Sequence, residues 1–266
     1  MKRWLHVACD AILPPLVLLV LVAAVWQWAV VRWDVRPIVL PGPGLVLEAL
    51  YRRAGDLLRS VIFSGTAAML GFFISLVAGT LIAFVFSQSR WLRTSGYPYA
   101  LFLQTVPIVA IAPLIVHWCG RGWHSIVMTA GILSLFPFIA NGTAGLLGVD
   151  PDLLDLFRIH NASRWQVLWK LRLPSAVPAI CSGAKTSCGL AVVGSIVGEY
   201  FVGYGSKSFG LGYMILFAVD QLRMAELFAA VLASTALTVI MFGVVSLATT
   251  AILTRWYDAP EAQGDP

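Results

Sequence analysis

The chain has 266 residues, 59% of them hydrophobic and 12% charged, with a mean hydropathy of +0.84 and a formal net charge of +5. An ordinary soluble domain carries about twice that charged fraction, so the composition excludes a soluble globule and puts the chain in a bilayer. The basic residues are spread over loops and span ends without forming a run, which argues against nucleic acid as a partner.

At the N-terminus Lys2 and Arg3 precede an apolar run over residues 11–31. At roughly 20 residues the run can cross a bilayer, so it reads as a retained first span and not as a cleaved leader. Trp26, Trp28 and Trp33 sit where an interfacial aromatic belt belongs. Residues 34–60 are too polar to cross. They set Leu45, Val46, Leu50 and Leu57 against Glu48, Arg52, Arg53 and Arg59, the pattern of an interfacial helix. Residues 1–60 are thus expected to form an N-terminal unit, 61–254 a core and 255–266 a tail.

The second span is expected over 61–86, with Gly65, Gly71 and Gly79 among its small residues. The third, over 97–117, is interrupted by Pro107 and Pro113, and the fourth, over 126–147, carries Pro137 and Asn141. Such breaks are tolerated where neighbouring protein or a water-lined cavity satisfies the freed backbone groups, so these spans should face other protein. A fifth span over 176–197 places Gly183, Ser187, Ala191 and Ser195 four apart, with Gly194 and Gly198 as a G-x-x-x-G. Close helix packing is the plainer meaning of that stripe. Lys185 and Glu199 lie about 21 Å apart along a helix and cannot pair. Lys185 can snorkel to the interface, while Glu199 is a candidate gate or structural hydrogen bond. A Gly/Tyr-rich segment over 201–213 leads to a sixth span over 227–254. The expected fold is an all-α integral membrane protein of six transmembrane helices, with both termini on one side.

Between spans four and five, residues 148–174 form the one long polar segment. Asp150 is a good N-cap and Pro151 suits the first helical position, so a helix should begin there and run over 152–160. Asp152 adds negative charge to its first turn, and Leu153, Leu154, Leu156 and Phe157 form an apolar stripe. Asn161 tolerates the left-handed conformation that ends a helix. Ala162 follows, and Ser163 with Gln166 fits a capping box for a second helix. That helix should carry Trp165, Leu168 and Trp169 inward until Leu173-Pro174 stops it.

This loop resembles the EAA loop of binding-protein-dependent ABC importer permeases. Asp155, Leu156 and Phe157 stand at the Glu-Ala-Ala positions, Asn161 at the glycine, and Leu171, Leu173 and Pro174 at the closing Ile-x-Leu-Pro, with every spacing kept. Gln104, Pro107, Ala112-Pro113-Leu114 and Trp118-Cys119-Gly120 are similar to a pattern of the nitrate, sulfonate, taurine and pyrimidine-precursor branch. Phe136-Pro137, Val197-Gly198-Glu199-Tyr200 and Gly210-Leu211-Gly212-Tyr213 continue the match. The resemblance implies a type I ABC importer permease fold in the cell inner membrane, with both termini and the loop in the cytoplasm. It implies three kinds of partner beyond lipid: a cytoplasmic ATPase subunit, a periplasmic or lipid-anchored substrate-binding protein, and a second permease copy, identical or paralogous. It makes Asp152, Asp155, Leu156, Phe157, Arg158, Asn161, Ala162 and Ser163 the ATPase-coupling residues. Gln104, Asn141, Gly194, Gly198 and Glu199 become pathway or gate candidates.

Gly205-Ser206-Lys207-Ser208 and Gly183-Ala184-Lys185-Thr186 lack the G-x-x-x-x-G-K-[ST] spacing of a P-loop, so no cofactor is expected here and ATP would bind on the partner subunit. Cys9, Cys119, Cys181 and Cys188 form no C-x-x-C pair, and the four histidines show no ligand spacing. With no catalytic grouping in any span, the chain is not expected to be an enzyme. An ion-gradient-driven secondary transporter is the competing class, and it calls for paired midplane ionisable residues and internal repeats.

Overall fold

The structure, a computed structural model, describes residues 2–203 and 210–257, without the side chains of residues 2–12, 15, 16, 256 and 257. The Gly205–Ser208 stretch and the tail beyond residue 257 lie outside the described residues. Those described are helical with short connections, in the order α1 (Lys2–Arg32), α2 (Pro43–Arg52), α3 (Ala54–Gln88), α4 (Arg90–Thr105), α5 (Ile108–Cys119) and α6 (Trp123–Leu147). There follow α7 (Pro151–Ile159), α8 (Arg164–Val167), a π-turn (Leu168–Arg172), α9 (Leu173–Gly203), α10 (Leu211–Asp220) and α11 (Met224–Tyr257).

Four helical rods are long and apolar enough to cross a membrane: α3, α6, α11 and the continuous Arg164–Gly203 rod that contains α9. The α4–α5 pair adds a fifth if counted as one broken span. Six spans are therefore not established among the described residues, because the described apolar part of the first helix, Val17–Arg32, is shorter than a span. The expected third span is two helices bent by 99°. The break falls at Val106-Pro107, where the residue before proline is pushed to extended geometry, at ψ 124°. Pro113, by contrast, lies inside α5.

The expected interfacial helix over 34–60 is also divided. Only α2 is separate, with Val46 and Ala49 buried, while Leu57 and Ser60 belong to the buried face of α3. Trp28 and Trp33 are exposed and meet edge-on at 6.0 Å, as a belt would allow. Trp26 departs from that expectation, its ring packing 5.5 Å from Phe228 of α11.

The core is α6 sandwiched between α3 and α9. Small residues let the three backbones approach. A Cβ on Gly71 would lie 2.7 Å from that of Ala130, and one on Gly194 would lie 2.6 Å from the Ala130 Cα. Buried serines tie the same layers together: Ser134 Oγ donates to Ser75 Oγ (3.0 Å), and Ser187 Oγ donates to the Ser134 carbonyl (2.8 Å). With lipid as apolar as leucine, such packing and interhelical bonds hold a membrane bundle together.

Candidate functional site

The polar segment between α6 and α9 folds from local signals. Asp150 Oδ1 accepts from the Asp152 amide at 2.9 Å, with Pro151 at the first helical position. At the far end Asn161 is left-handed, with φ 49°. Its amide donates to the Arg158 carbonyl (2.9 Å), and the Ala162 amide to that of Phe157 (3.0 Å). Those two bonds make a Schellman motif, which satisfies carbonyls the helix end would leave orphaned. Ser163 and Gln166 then close a reciprocal capping box, at 3.3 and 2.8 Å.

The second helix does not stop at Leu173-Pro174. It runs through the π-turn into α9, making one rod from Arg164 to Gly203. Proline has no N–H to donate and crowds the carbonyl four residues back, here that of Lys170. The wider π-turn opens the ladder at that point, so the rod continues instead of ending. Trp165 and Trp169 were expected inward and are 64% and 65% exposed, whereas Leu168 and Leu171 are buried.

No residue of α7 is buried. Leu153, Leu156 and Ile159 lie open on it, Ile159 at 76% exposure. Phe157 is half-buried and lines a groove of about 220 Å³ with Leu156, His160, Ala162, Gln166 and Lys170. Asp152 is exposed beside the cap, and Asp155 pairs with Arg158 at 2.9 Å, both largely in solvent. Such a pair contributes roughly 0–1 kcal/mol, so it can re-form with another partner at little cost. Apolar groups held open on a polar loop mark a contact surface.

Two side-chain contacts join the loop to α3. The Arg172 guanidinium donates to the Ser87 carbonyl at the end of α3 (3.2 Å), and Trp165 stacks on Phe84, with centroids 6.5 Å apart and planes at 28°. The rod that follows α7 is thus tied to α3 and continuous with α9.

The five pathway candidates are dispersed. Gln104 is exposed in the last turn of α4, next to the bend. Asn141 donates from Nδ2 to the Pro137 carbonyl (2.8 Å) in its own helix, and its Cβ lies against Gly183 of α9. Gly194 and Gly198 sit where α9 touches the backbone of α6. Glu199 is fully buried where α3, α9 and α10 meet. Its Oε2 accepts from Ser64 Oγ (2.9 Å) and the Gly212 amide (2.8 Å), and Ser64 Oγ accepts from the Leu211 amide (2.9 Å). Glutamate and serine together cap α10 from outside. Gly210, at φ 127°, leaves room for the carboxylate that any Cβ would strike.

Sequence reading missed Ile159, the Arg172–Ser87 bond and the part of Ser64. Ile159 stands three residues beyond Leu156 on one helical face, a spacing that could have included it. The other two depend on long-range packing and leave no local signal.

A family model described as the binding-protein-dependent transport system inner membrane component matches residues 57–259. The riboflavin transport system permease protein RibX of Chloroflexus aurantiacus is 30% identical over 242 residues, 90% of this chain and 88% of that protein. The formylaminopyrimidine transport permease protein ThiX of Halalkalibacterium halodurans is 29% identical over 206 residues, 76% of this chain and 79% of that one. A solved structure of the MetNI methionine ABC transporter in an inward-facing conformation shares the fold, with a TM-score of 0.62 at 16% identity over 77% of this chain and 98% of that chain. These similarities set aside the ion-gradient-driven secondary transporter. The chain belongs to the family of binding-protein-dependent transport system inner membrane components, and is a multi-pass permease of an ABC importer.

Proposed function

We propose that this permease passes a small solute across the inner membrane, driven by a separate cytoplasmic ATPase that grips α7. In this reading the apolar face of α7, with Leu156, Phe157 and Ile159, seats in a groove of the ATPase. Asp152, Asp155 and Arg158 supply exchangeable charge pairs around it. Asn161, Ala162 and Ser163 hold the turn that sets the angle between α7 and the rod behind it. ATP binds on that partner, and this chain catalyses no reaction. Closure of the ATPase dimer pulls α7, and the pull reaches α9 through the π-turn and α3 through Arg172 and Trp165. Two permease copies, identical or paralogous, flank the pathway. A substrate-binding protein delivers the solute from the far side, and both termini lie in the cytoplasm with the loop. Gln104 at the α4–α5 bend, Asn141, Gly194 and Gly198 along the α6–α9 contact, and Glu199 at the α3–α9–α10 junction belong to the parts that shift when the pathway opens. The solute is of the nitrate, sulfonate, taurine or pyrimidine and vitamin-precursor type, and the names of the riboflavin and formylaminopyrimidine relatives favour the last.

The observation that carries this reading is a rigidly capped helix with no buried residue and an open apolar face, followed by a rod that is tied to α3 and runs on into α9. Copurification from native membranes tests it, comparing wild type with Phe157→Asp. An ATPase subunit should accompany the wild type and be lost from a variant that keeps its thermal stability. An ATPase that stays with the variant at full occupancy would contradict the assigned contact.

A further inference from the structure

A cavity of about 210 Å³ opens between the start of α3, α10 and the start of α11. Arg59 and Ser60 of α3, Tyr213 and Phe217 of α10 and Glu226 of α11 lie in its wall. The stretch of α3 from Ser60 to Ser87, where Arg172 of the polar loop is bound, is about 40 Å long at 1.5 Å per residue. The cavity is therefore at the end of the bundle remote from α7.

Groups in this wall have hydrogen-bonding capacity to spare. On α3 the buried Ser64, Ser75 and Ser87 each donate a hydrogen bond within the protein. Ser60 is also buried, at 3% exposure, yet its Oγ has no partner among the described residues. Nor is that oxygen sealed off, as those of Thr80 and Thr143 are, so its small open surface faces the cavity. Tyr213 makes no hydrogen bond among the described residues, and the exposed Arg59 makes neither a hydrogen bond nor an ion pair among them.

The charges that converge there are balanced. The wall holds two guanidiniums, of Arg53 and Arg59, and two carboxylates, of Asp56 and Glu226, and Arg53 bridges to both carboxylates at 3.3 Å. A free anion such as nitrate or a sulfonate meets no excess of positive charge, and a cation no excess of negative charge. The apolar part of the wall is aromatic, with the Tyr213 and Phe217 rings 6.2 Å apart at 27°. A conjugated ring gains offset-stacked or edge-on contacts from such a pair that a saturated solute cannot make. Donors and acceptors set around an aromatic wall suit a flat, uncharged ring that carries both.

We propose that this cavity is an entry subsite for the transported solute, and that it takes a planar, uncharged heterocycle of the pyrimidine class. The ring packs against Tyr213 and Phe217. Its carbonyl oxygen or ring nitrogen accepts from Ser60 and Arg59, and its N–H donates to Asp56 or Glu226. This rests on the permease function proposed above, under which the end remote from α7 receives solute from the binding protein, and it chooses among the solute types named there. The subsite adjoins the α10 cap, since Ser60 lies one turn before Ser64 and Tyr213 follows Gly212.

The test uses the full chain with its copurifying ATPase in nanodiscs, washed free of binding protein. Saturation-transfer NMR reads titrations with uracil, with 5,6-dihydrouracil and with methanesulfonate. Uracil should bind. Dihydrouracil keeps the hydrogen-bonding groups without the conjugated ring and should bind several-fold more weakly, with methanesulfonate weaker still. Phe217→Leu should weaken uracil binding about fivefold and Ser60→Ala several-fold, while Phe242→Leu, exposed on α11, should match wild type. Absence of uracil binding, equal binding of uracil and dihydrouracil, or a stronger response to methanesulfonate overturns the proposal. So do folded Phe217→Leu and Ser60→Ala variants that match wild type. Loss of binding-protein association from Phe217→Leu, with no response to any of the three probes, overturns it in favour of a protein contact. ATP-driven uptake, measured on the same preparations after the binding protein is added back, keeps the two proposals apart. Uptake without this pattern of binding retains the permease function and overturns the subsite, whereas ring-dependent binding to a chain that never uses ATP retains the heterocycle site and overturns the coupling.

Discussion

Replacing Glu199 by alanine, and separately by glutamine, divides the account of the α3–α9–α10 junction into two measurable parts. The carboxylate accepts two buried hydrogen bonds on Oε2, from Ser64 Oγ and the Gly212 amide, while Oε1 has no partner. Alanine leaves both donors without their acceptor, at about 1–3 kcal/mol each, so the loss should be about 2–6 kcal/mol before any relaxation. Glutamine can put its amide oxygen where Oε2 stands and its NH2 where Oε1 has no partner to lose. It forfeits mainly the favourable placement of a carboxylate at the start of α10, about 0.3–1 kcal/mol. Hydrogen exchange in detergent, read by mass spectrometry on peptides covering residues 210–220, reports the local effect, and thermal denaturation the global one. Alanine should strip protection from the Leu211 and Gly212 amides and lower the melting temperature, with glutamine close to wild type. Equal protection in wild type and Glu199→Ala would refute the cap. An alanine-like glutamine variant would mean that the negative charge, not the acceptor, is what α10 requires.

Gly194→Ala puts a methyl group 2.6 Å from the Ala130 Cα, so overpacking should cost about 1–3 kcal/mol in denaturation. Gly243→Ala in α11 meets nothing within 4 Å and should be neutral or up to about 1 kcal/mol stabilising. Asn161→Ala must hold φ 49° with no side chain to offset the strain, and should raise exchange across residues 158–162 by about 1 kcal/mol, with Asn161→Gly unaffected. Arg172→Ala removes the bond to the Ser87 carbonyl. In proteoliposomes it should lower solute uptake several-fold while leaving ATP hydrolysis by the assembled transporter largely intact, and equal losses of both would count against transmission through α3.

The loop was legible in the sequence because its signals are local. Asp150-Pro151, Asn161 and the Ser163/Gln166 box each act within a few residues, and each adopts the expected geometry. The stop at Leu173-Pro174 was misread because a π-turn supplies a way for proline to sit inside a continuous rod, and no propensity scale distinguishes that from an end. Small residues announced that α9 would be packed closely, but not that α6 would be the helix against it. The divided third span follows one proline and not the other. Pro107 stands where the chain has turned by 99°, while Pro113 is accommodated within α5, and spacing alone does not tell the two prolines apart. Glu199 was identifiable as an expensive buried group. Its partners, Ser64 and the first amides of α10, stand 135 and 13 residues away and could not be read from spacing.

Transport itself tests the central claim most directly. The permease is reconstituted in proteoliposomes with its copurified ATPase and binding protein, and uptake is measured with ATP present and all ion gradients collapsed. The account predicts uptake that requires ATP and the ATPase, and that is lost in Phe157→Asp while the permease remains folded. Uptake by the permease alone down an imposed ion gradient, indifferent to ATP and to the state of α7, would contradict it.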